Sequence, residues 1–112
     1  MQGTLEGKGG TIYEGEWISN QFNGKGILHS SDGGRYDGRF EKGIKQGYGV
    51  QHYFDGTIYK GNWLQGKKDG FGVASHPNHP DSTKEGYWKN DRFLGLYKDE
   101  NPVVLKISIP SA

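Results

Sequence analysis

A 23-residue repeat is the feature of this sequence that most constrains its fold. The motif Tyr-x-Gly-x-Trp/Phe begins at Tyr13, Tyr36 and Tyr59. Seven residues after each Trp or Phe a Gly-x-Gly pair follows, and Asp-Gly stands just ahead of the second and third Tyr. Self-similarity at a period of about 20–50 residues is typical of architectures in which each unit packs only on its neighbours. The sequence therefore predicts a chain of stacked units.

The repeat weakens toward both ends. A fourth copy follows after 25 residues, with Lys84 in place of Tyr and Trp88 in the Trp position. At the start, Gly3 stands where the second glycine of a preceding pair would fall. We expect an N-terminal half-repeat over residues 1–12, a solenoid over 13–97 and a separate C-terminal strand over 98–112.

Each unit is predicted to form a β-hairpin. Alternation places Tyr13, Gly15 and Trp17 on one face, and no segment shows the 3.6-residue apolar period of a helix. Glycine supplies 20 of 112 residues, and each disfavours a helix interior by about 1 kcal/mol relative to Ala. We expect turns at the Asp-Gly pairs and loops over residues 18–23, 41–46 and 64–69. The prediction is all-β: a single-sheet solenoid of about three and a half consecutive antiparallel hairpins with essentially no helix.

Composition narrows the functional classes. The chain has no Cys and a net charge of only +1, so it lacks both a thiol site and the strongly basic character typical of nucleic-acid binding. No apolar run approaches the ~20 residues that cross a bilayer, and the N-terminus lacks a signal-peptide pattern. We expect a cytoplasmic protein with no nucleic-acid partner.

Two aromatic columns are the main candidate for a binding surface. One interpretation is that these rings have only a structural role and stabilise the solenoid by covering glycine backbone. The functional hypothesis is that the same face offers a groove for a partner segment, with the rings as anchors. The groove candidates are Tyr13, Trp17, Tyr36, Phe40, Tyr59, Trp63 and Trp88.

Catalysis and metal binding have little support. His29 and His52 are one repeat apart, whereas His76 and His79 lie in a Pro-rich insertion. A zinc site needs three or four convergent ligands, and the third unit offers Ser75 where the next His would stand. The acids show no paired arrangement and no nucleotide-binding motif occurs. We expect no enzyme activity, cofactor, metal or small-molecule substrate.

Basic residues recur in the predicted hairpin loops, which would align them along one edge of the solenoid. Such an edge could contact acidic phospholipids weakly, at about 1 kcal/mol per basic residue. Acidic residues beside these positions reduce the net positive charge of the edge. The basic residues are Lys42, Lys45, Lys67, Lys68, Lys89 and Arg92.

The last segment is strongly β-prone and lies between Pro102 and Pro110. One interpretation is a closing strand that caps the last hairpin. The other is a strand that pairs with a partner's sheet or with a second copy of this chain, as in a homodimer. Its strand candidates are Val103, Val104, Leu105, Ile107 and Ile109.

The combination of Tyr-x-Gly-x-Trp/Phe, Gly-x-Gly and Asp-Gly at a 23-residue step resembles the MORN (membrane occupation and recognition nexus) repeat over about residues 3–97. The resemblance implies a single-sheet solenoid of hairpins with a grooved, aromatic-lined face. It also implies a scaffold role within a larger complex, often in cilia, flagella or the cytoskeleton. For some members it implies contact with acidic phospholipids.

Overall fold

A computed structural model describes residues 2–6 and 10–96, and these form one sheet of nine antiparallel strands in chain order. No α-helix occurs among them, and one 3-10 turn covers Pro80–Ser82. The predicted fold, a single sheet of consecutive hairpins, is confirmed. The strands are β1 (Gln2–Glu6), β2 (Ile12–Ile18), β3 (Gln21–His29), β4 (Arg35–Glu41), β5 (Ile44–His52), β6 (Ile58–Leu64), β7 (Lys67–Ser75), β8 (Lys84–Lys89) and β9 (Arg92–Gly95).

A line of glycines crosses the sheet at right angles to the strands. Each of these glycines is the register partner of the next, from β1 to β8, because both motifs of every unit contribute one glycine to the same level of the ladder. Without side chains, this line leaves bare backbone that a ring can approach closely. The line comprises Gly3, Gly15, Gly26, Gly38, Gly49, Gly61, Gly72 and Gly86.

The ends of the hairpins differ from the prediction. The six-residue loops expected over 18–23, 41–46 and 64–69 are wrong, because the strands continue to two-residue turns. At the second hairpin these residues are Lys42 and Gly43, with φ of 52° and 81°. Positive φ at both turn positions is the type I′ geometry, whose twist matches that of the flanking strands. The tip of each hairpin is therefore short and firmly held.

Three of the six residues expected in each loop lie instead in the return strand. Gly38 pairs with Gly49 and Phe40 with Lys45, so the return strand carries two more residues than its partner at this point. Gly47, the first glycine of the pair, occupies this irregularity with φ of 84°. Glycine adopts that left-handed conformation without the steric cost that other residues meet. The first glycine of each Gly-x-Gly pair thus bends the strand, while the second lies in the glycine line.

The predicted Asp-Gly turns are confirmed at the opposite end of the hairpins. The Oδ1 atom of Asp32 accepts a hydrogen bond from the backbone N–H of Gly34 at 2.8 Å, and Asp55 Oδ1 accepts one from the N–H of Thr57 at 2.9 Å. An Asp side chain that accepts from the backbone two residues later is the Asx turn. These turns connect one hairpin to the next.

Candidate functional site

Seven aromatic rings form a continuous ladder on one face of the sheet, which we call the aromatic face. Each ring meets the next edge-to-face, with centroids 5.1–5.4 Å apart and planes 79–89° apart. This is the geometry that aromatic pairs prefer. In spatial order the rings of this aromatic ladder are Trp17, Tyr13, Phe40, Tyr36, Trp63, Tyr59 and Trp88.

The tyrosine rings lie directly over the glycine line. Tyr36 is only 1% exposed, and its hydroxyl donates to the carbonyl of Arg39 at 2.9 Å. A Cβ atom on Gly49 would collide with that ring. Burial raises the pKa of Tyr36 to about 12, because the phenolate would lose its hydration. Tyr59 has the same arrangement and a pKa of about 12, and burial also raises the pKa of Tyr13.

Two tryptophans fasten the ladder to neighbouring hairpins. Trp63 is 4% exposed, and its Nε1–H donates to the carbonyl of Gly49 at 3.3 Å. Trp88 donates in the same way to the carbonyl of Gly72 at 3.1 Å. A buried indole N–H needs such a partner to avoid a desolvation penalty. Stacking between units is therefore reinforced by directional bonds.

The structure brings all seven groove candidates together, but six of them are buried. Only Trp17 is half-buried; the other six pack as the core of the protein. A partner on this face would therefore meet ring edges and the residues beside the ladder. The ladder itself is the floor of the site.

A second row of side chains borders the ladder on the hairpin-tip side. It consists of the return-strand residue opposite each Trp or Phe, and we call it the groove row. Phe22 stacks on Tyr13 with centroids 3.7 Å apart and planes 6° apart, and Phe93 packs 5.0 Å from Trp88. The groove row is Phe22, Lys45, Lys68 and Phe93.

The two lysines of the groove row lie over ring faces. Lys45 Nζ is 5.0 Å from the Tyr36 centroid and 4.9 Å from that of Trp63. Lys68 Nζ is 5.0 Å from the Trp88 ring centroid and 5.6 Å from that of Tyr59. An ammonium at this distance from a ring face is attracted by the ring quadrupole. Burial lowers the pKa of both lysines, because the ammonium has lost part of its hydration.

This placement corrects the prediction that Lys45 and Lys68 lie in hairpin loops along the edge. Both lie inside strands and on the aromatic face, because each is two residues before the first glycine of a Gly-x-Gly pair. Extending the alternation of the return strand by two residues, from the first glycine of the pair back to the lysine, predicts this face for both lysines. Of the other basic residues in that prediction, Lys42 lies in a turn, and Lys67, Lys89 and Arg92 lie at strand ends beside the turns.

An open cavity of about 380 Å³ lies beside Lys68 on the aromatic face. Its lining includes Lys84, Trp88 and His76. Lys84 occupies the position that the fourth unit would give to Tyr, so the ladder ends here and leaves space. The His76 ring is held by hydrogen bonds to the carbonyl of Asp55 at 2.7 Å and from the N–H of Asn78 at 3.0 Å.

The opposite face of the sheet, which we call the outer face, also carries aromatic side chains. Tyr48 is 55% exposed and Phe71 is 44% exposed, and Phe71 meets Tyr87 edge-to-face at 5.5 Å. The register puts these residues with Ile27, Val50 and Val73 on the face away from the tyrosines. The core is thus on the aromatic face, and the outer face is partly apolar and partly charged.

The four histidines do not form one cluster: His76 and His79 have ring centroids 4.9 Å apart, but His29 and His52 lie elsewhere on the sheet. His29 Nε2 lies 3.1 Å from Glu14 Oε1, and Arg35 separates His29 from His52 across the sheet. No cluster of three or more His, Asp or Glu side chains that could hold a metal occurs within residues 2–6 and 10–96. In that same part of the chain, no helix is long and apolar enough to cross a membrane. The C-terminal strand candidates Val103, Val104, Leu105, Ile107 and Ile109 lie outside the described residues.

Comparison with known proteins identifies the repeat. The family profile of the MORN repeat matches residues 13–35, 36–58 and 59–79, together more than half of the chain. No curated protein matches the sequence. MORN repeats are generally modules of protein or membrane interaction and are typically non-catalytic. From the three consecutive matches and the hairpin sheet that they form, we conclude that the chain belongs to the MORN repeat family.

Proposed function

We propose that this protein is a non-enzymatic interaction scaffold that docks a segment of a protein partner along its aromatic face. The observation that supports this most directly is the groove row, a line of half-buried side chains beside a buried ladder. Among the described residues the sheet is a single layer, so nothing from a second layer covers this row. Half-buried aromatic side chains next to a rigid floor are suited to act as anchors for a partner.

The rigidity of the aromatic face is a second observation that supports this proposal. Each ladder ring is fixed by two ring contacts or by a hydrogen bond to backbone, as with Trp63 and Gly49. A surface that is already ordered loses little conformational freedom on binding, and this favours affinity. The C-terminal strand over residues 98–112 is a second proposed attachment point, through pairing with a partner's sheet or with a second copy of the chain.

Photocrosslinking tests which face is used. The photoreactive residue p-benzoylphenylalanine replaces Phe93 on the aromatic face in one protein and Phe71 on the outer face in another. The two sites are matched because both are phenylalanines in strands of the same sheet. We expect a protein adduct from position 93 and none from position 71. An adduct from position 71 alone would overturn the proposal, and an adduct of twice the chain's mass would identify the partner as a second copy.

A second candidate function is recruitment to membranes with acidic phospholipids. The observation that favours it is the alignment of Lys42, Lys67, Lys89 and Arg92 at or beside the hairpin turns on one edge. Binding of the full chain to phosphatidylserine vesicles measures it. Such binding should fall steeply as salt rises, because exposed charges are screened within about 10 Å at 0.1 M salt.

We also propose a place in a ciliary, flagellar or cytoskeletal assembly, on the family resemblance alone. Imaging of the tagged protein in ciliated cells tests this proposal. A diffuse cytoplasmic signal that is absent from cilia and cytoskeleton would overturn it.

A further inference from the structure

The described aromatic face carries positive charge although the whole chain is nearly neutral. Lys45, Lys68 and Lys84 are register partners of residues on this face. The acidic residues at the centre of the strands, Glu14 and Asp37 among them, pair in register with Ile27 and Val50 and so belong to the outer face. Lys25, Arg39 and Lys60 offset these acids on the outer face, so the net positive charge is concentrated on the aromatic face.

The two groove-row lysines have no carboxylate partner within the described part of the chain. Lys45 Nζ donates to Gln51 Oε1 at 2.7 Å, and Lys68 Nζ lies over ring faces. The negative charge of Asp91 acts on both lysines and opposes the lowering of their pKa by burial, and its Oδ1 accepts a hydrogen bond from the Lys68 backbone N–H at 2.8 Å. The two ammonium groups are partly desolvated and share one nearby carboxylate, with which neither forms a salt bridge, so each gains from a supplied carboxylate.

The spacing between these ammonium groups is set by the repeat. Lys45 lies on β5 and Lys68 lies two strands away on β7, at the same level of the sheet. Strands are about 4.8 Å apart, so the two positions are separated by about 10 Å. Residues i and i+3 of an extended segment span about 10 Å, and residues i and i+7 of a helix span about 10.5 Å.

We propose that the segment docked on the aromatic face is an acidic peptide, with two carboxylates about 10 Å apart that pair with Lys45 and Lys68. This rests on the proposed function and specifies the chemistry of its partner. The cavity beside Lys68 and Lys84, which Asp91 also lines, gives a carboxylate side chain room to enter, with two lysines against one acid. A peptide suits the site better than a lipid surface, because both lysines are held among rings and not at the exposed hairpin tips.

Two double variants separate a specific site from general attraction. Lys45→Gln with Lys68→Gln removes both groove-row charges and keeps most of each stem. Lys42→Gln with Lys67→Gln removes the same charge from the hairpin tips and is the matched control. Lys67 and Lys68 are adjacent, so the two variants differ mainly in the face from which charge is lost. Circular dichroism and thermal melting establish that both variants fold.

The test is selection of random peptides displayed on phage against the full-length protein. We expect enrichment of peptides with Asp or Glu pairs at i and i+3 or at i and i+7. Measured by fluorescence anisotropy, their affinity should fall at least tenfold for the Lys45/Lys68 variant and less than twofold for the Lys42/Lys67 variant. A tenfold loss corresponds to about 1.4 kcal/mol, the scale of one charge-assisted hydrogen bond.

Other results would overturn the inference in distinguishable ways. Selected peptides without acidic pairs that crosslink to position 93 would refute the acidic chemistry and leave the docking face in place. Acidic peptides that lose equal affinity with both double variants would indicate nonspecific attraction. Selection of no peptide, with binding to phosphatidylserine vesicles, would refute both proposals in favour of membrane recruitment.

Discussion

Replacing Gly49 with alanine tests whether the rings of the aromatic ladder pack directly on the glycine line. Gly49 is in a central strand and its φ is not in the left-handed region, so its backbone alone would accept alanine. By itself, Gly→Ala at a compatible site stabilises a protein by about 0.4–1 kcal/mol through the unfolded state. The new methyl group, however, would occupy the space of the Tyr36 ring and hydroxyl. The structure therefore predicts destabilisation where backbone preference predicts the opposite.

The magnitude follows from what Tyr36 would lose if it moved. Forcing an extra methyl group into a packed site typically costs about 1–3 kcal/mol. Displacement of the ring also weakens its hydrogen bond to Arg39, which contributes about 1 kcal/mol. Its edge-to-face contacts with Phe40 and Trp63 contribute about 0.5–1.5 kcal/mol each. We expect Gly49→Ala to lower the free energy of unfolding by about 4 kcal/mol.

Urea denaturation followed by circular dichroism measures this loss. Gly3→Ala is the matched control, because Gly3 is also a strand glycine in the glycine line but an added Cβ would make only ordinary contact, 3.6 Å from Trp17 Nε1. The control should unfold within about 1 kcal/mol of wild type. Equal stability of the two variants would refute the conclusion that Tyr36 is seated on Gly49. A Tyr36 ring that moves aside without loss would give that result.

Three further predictions concern the ladder and the turns. Trp63→Ala should lower the free energy of unfolding by about 3–5 kcal/mol in the same assay, since it removes a buried ring. Trp63→Phe should lower it less. An unchanged urea midpoint for Trp63→Ala would mean that the ring does not pack as described. Between pH 10 and 12 the unfolded chain ionises tyrosines that the folded chain keeps protonated, because burial raises the pKa of Tyr36 and Tyr59 to about 12. The stability that these two rings contribute is complete below pH 10. Above it, the free energy of unfolding should fall by about 1.4 kcal/mol per pH unit for each ring. Tyr59→Phe should show a shallower fall in alkaline denaturation, and an identical slope would contradict the raised pKa. Asp32→Ala should lower the free energy of unfolding by about 1 kcal/mol, because it removes the hydrogen bond from the Gly34 N–H. Asp32→Asn, which keeps an acceptor oxygen, should retain most of that stability in thermal melting. Equal losses in the two variants would exclude the hydrogen bond as the cause.

The predictable part of the fold is the part with strict spacing. Tyr36 and Gly49 could be placed on one face because alternation is fixed at two residues and the repeat returns each motif to the same level. The same reasoning identified the ladder residues, but it predicted a Tyr column and a separate Trp/Phe column, whereas the rings of both interleave in one ladder. Burial of the tyrosines followed from glycines on the strands beside them.

The hairpin tips could not be read from the sequence, for a physical reason. A type I′ turn needs positive φ at both central residues, and Asn-Gly is its strong signal. Here Lys42 and Gln65 adopt φ of 52° without being typical of that conformation. The preceding and following strands impose the geometry. The irregularity at Gly47 also places two extra residues in the return strand, so simple counting made the loop longer than it is.

The position of the lysines shows how such a repeat can vary its binding chemistry without altering its core. The ladder rings and the glycine line are interdependent, because a side chain on Gly49 or a different ring at Tyr36 disturbs both. The groove row has more freedom, since its side chains are only half-buried whereas six of the seven ladder rings are buried. Phe22 and Lys45 occupy equivalent positions in successive units, one apolar and one charged, over the same kind of floor. Partner selectivity in this protein should therefore reside in the groove row, and exchanging Lys45 for Phe should change what is bound more than whether the chain folds.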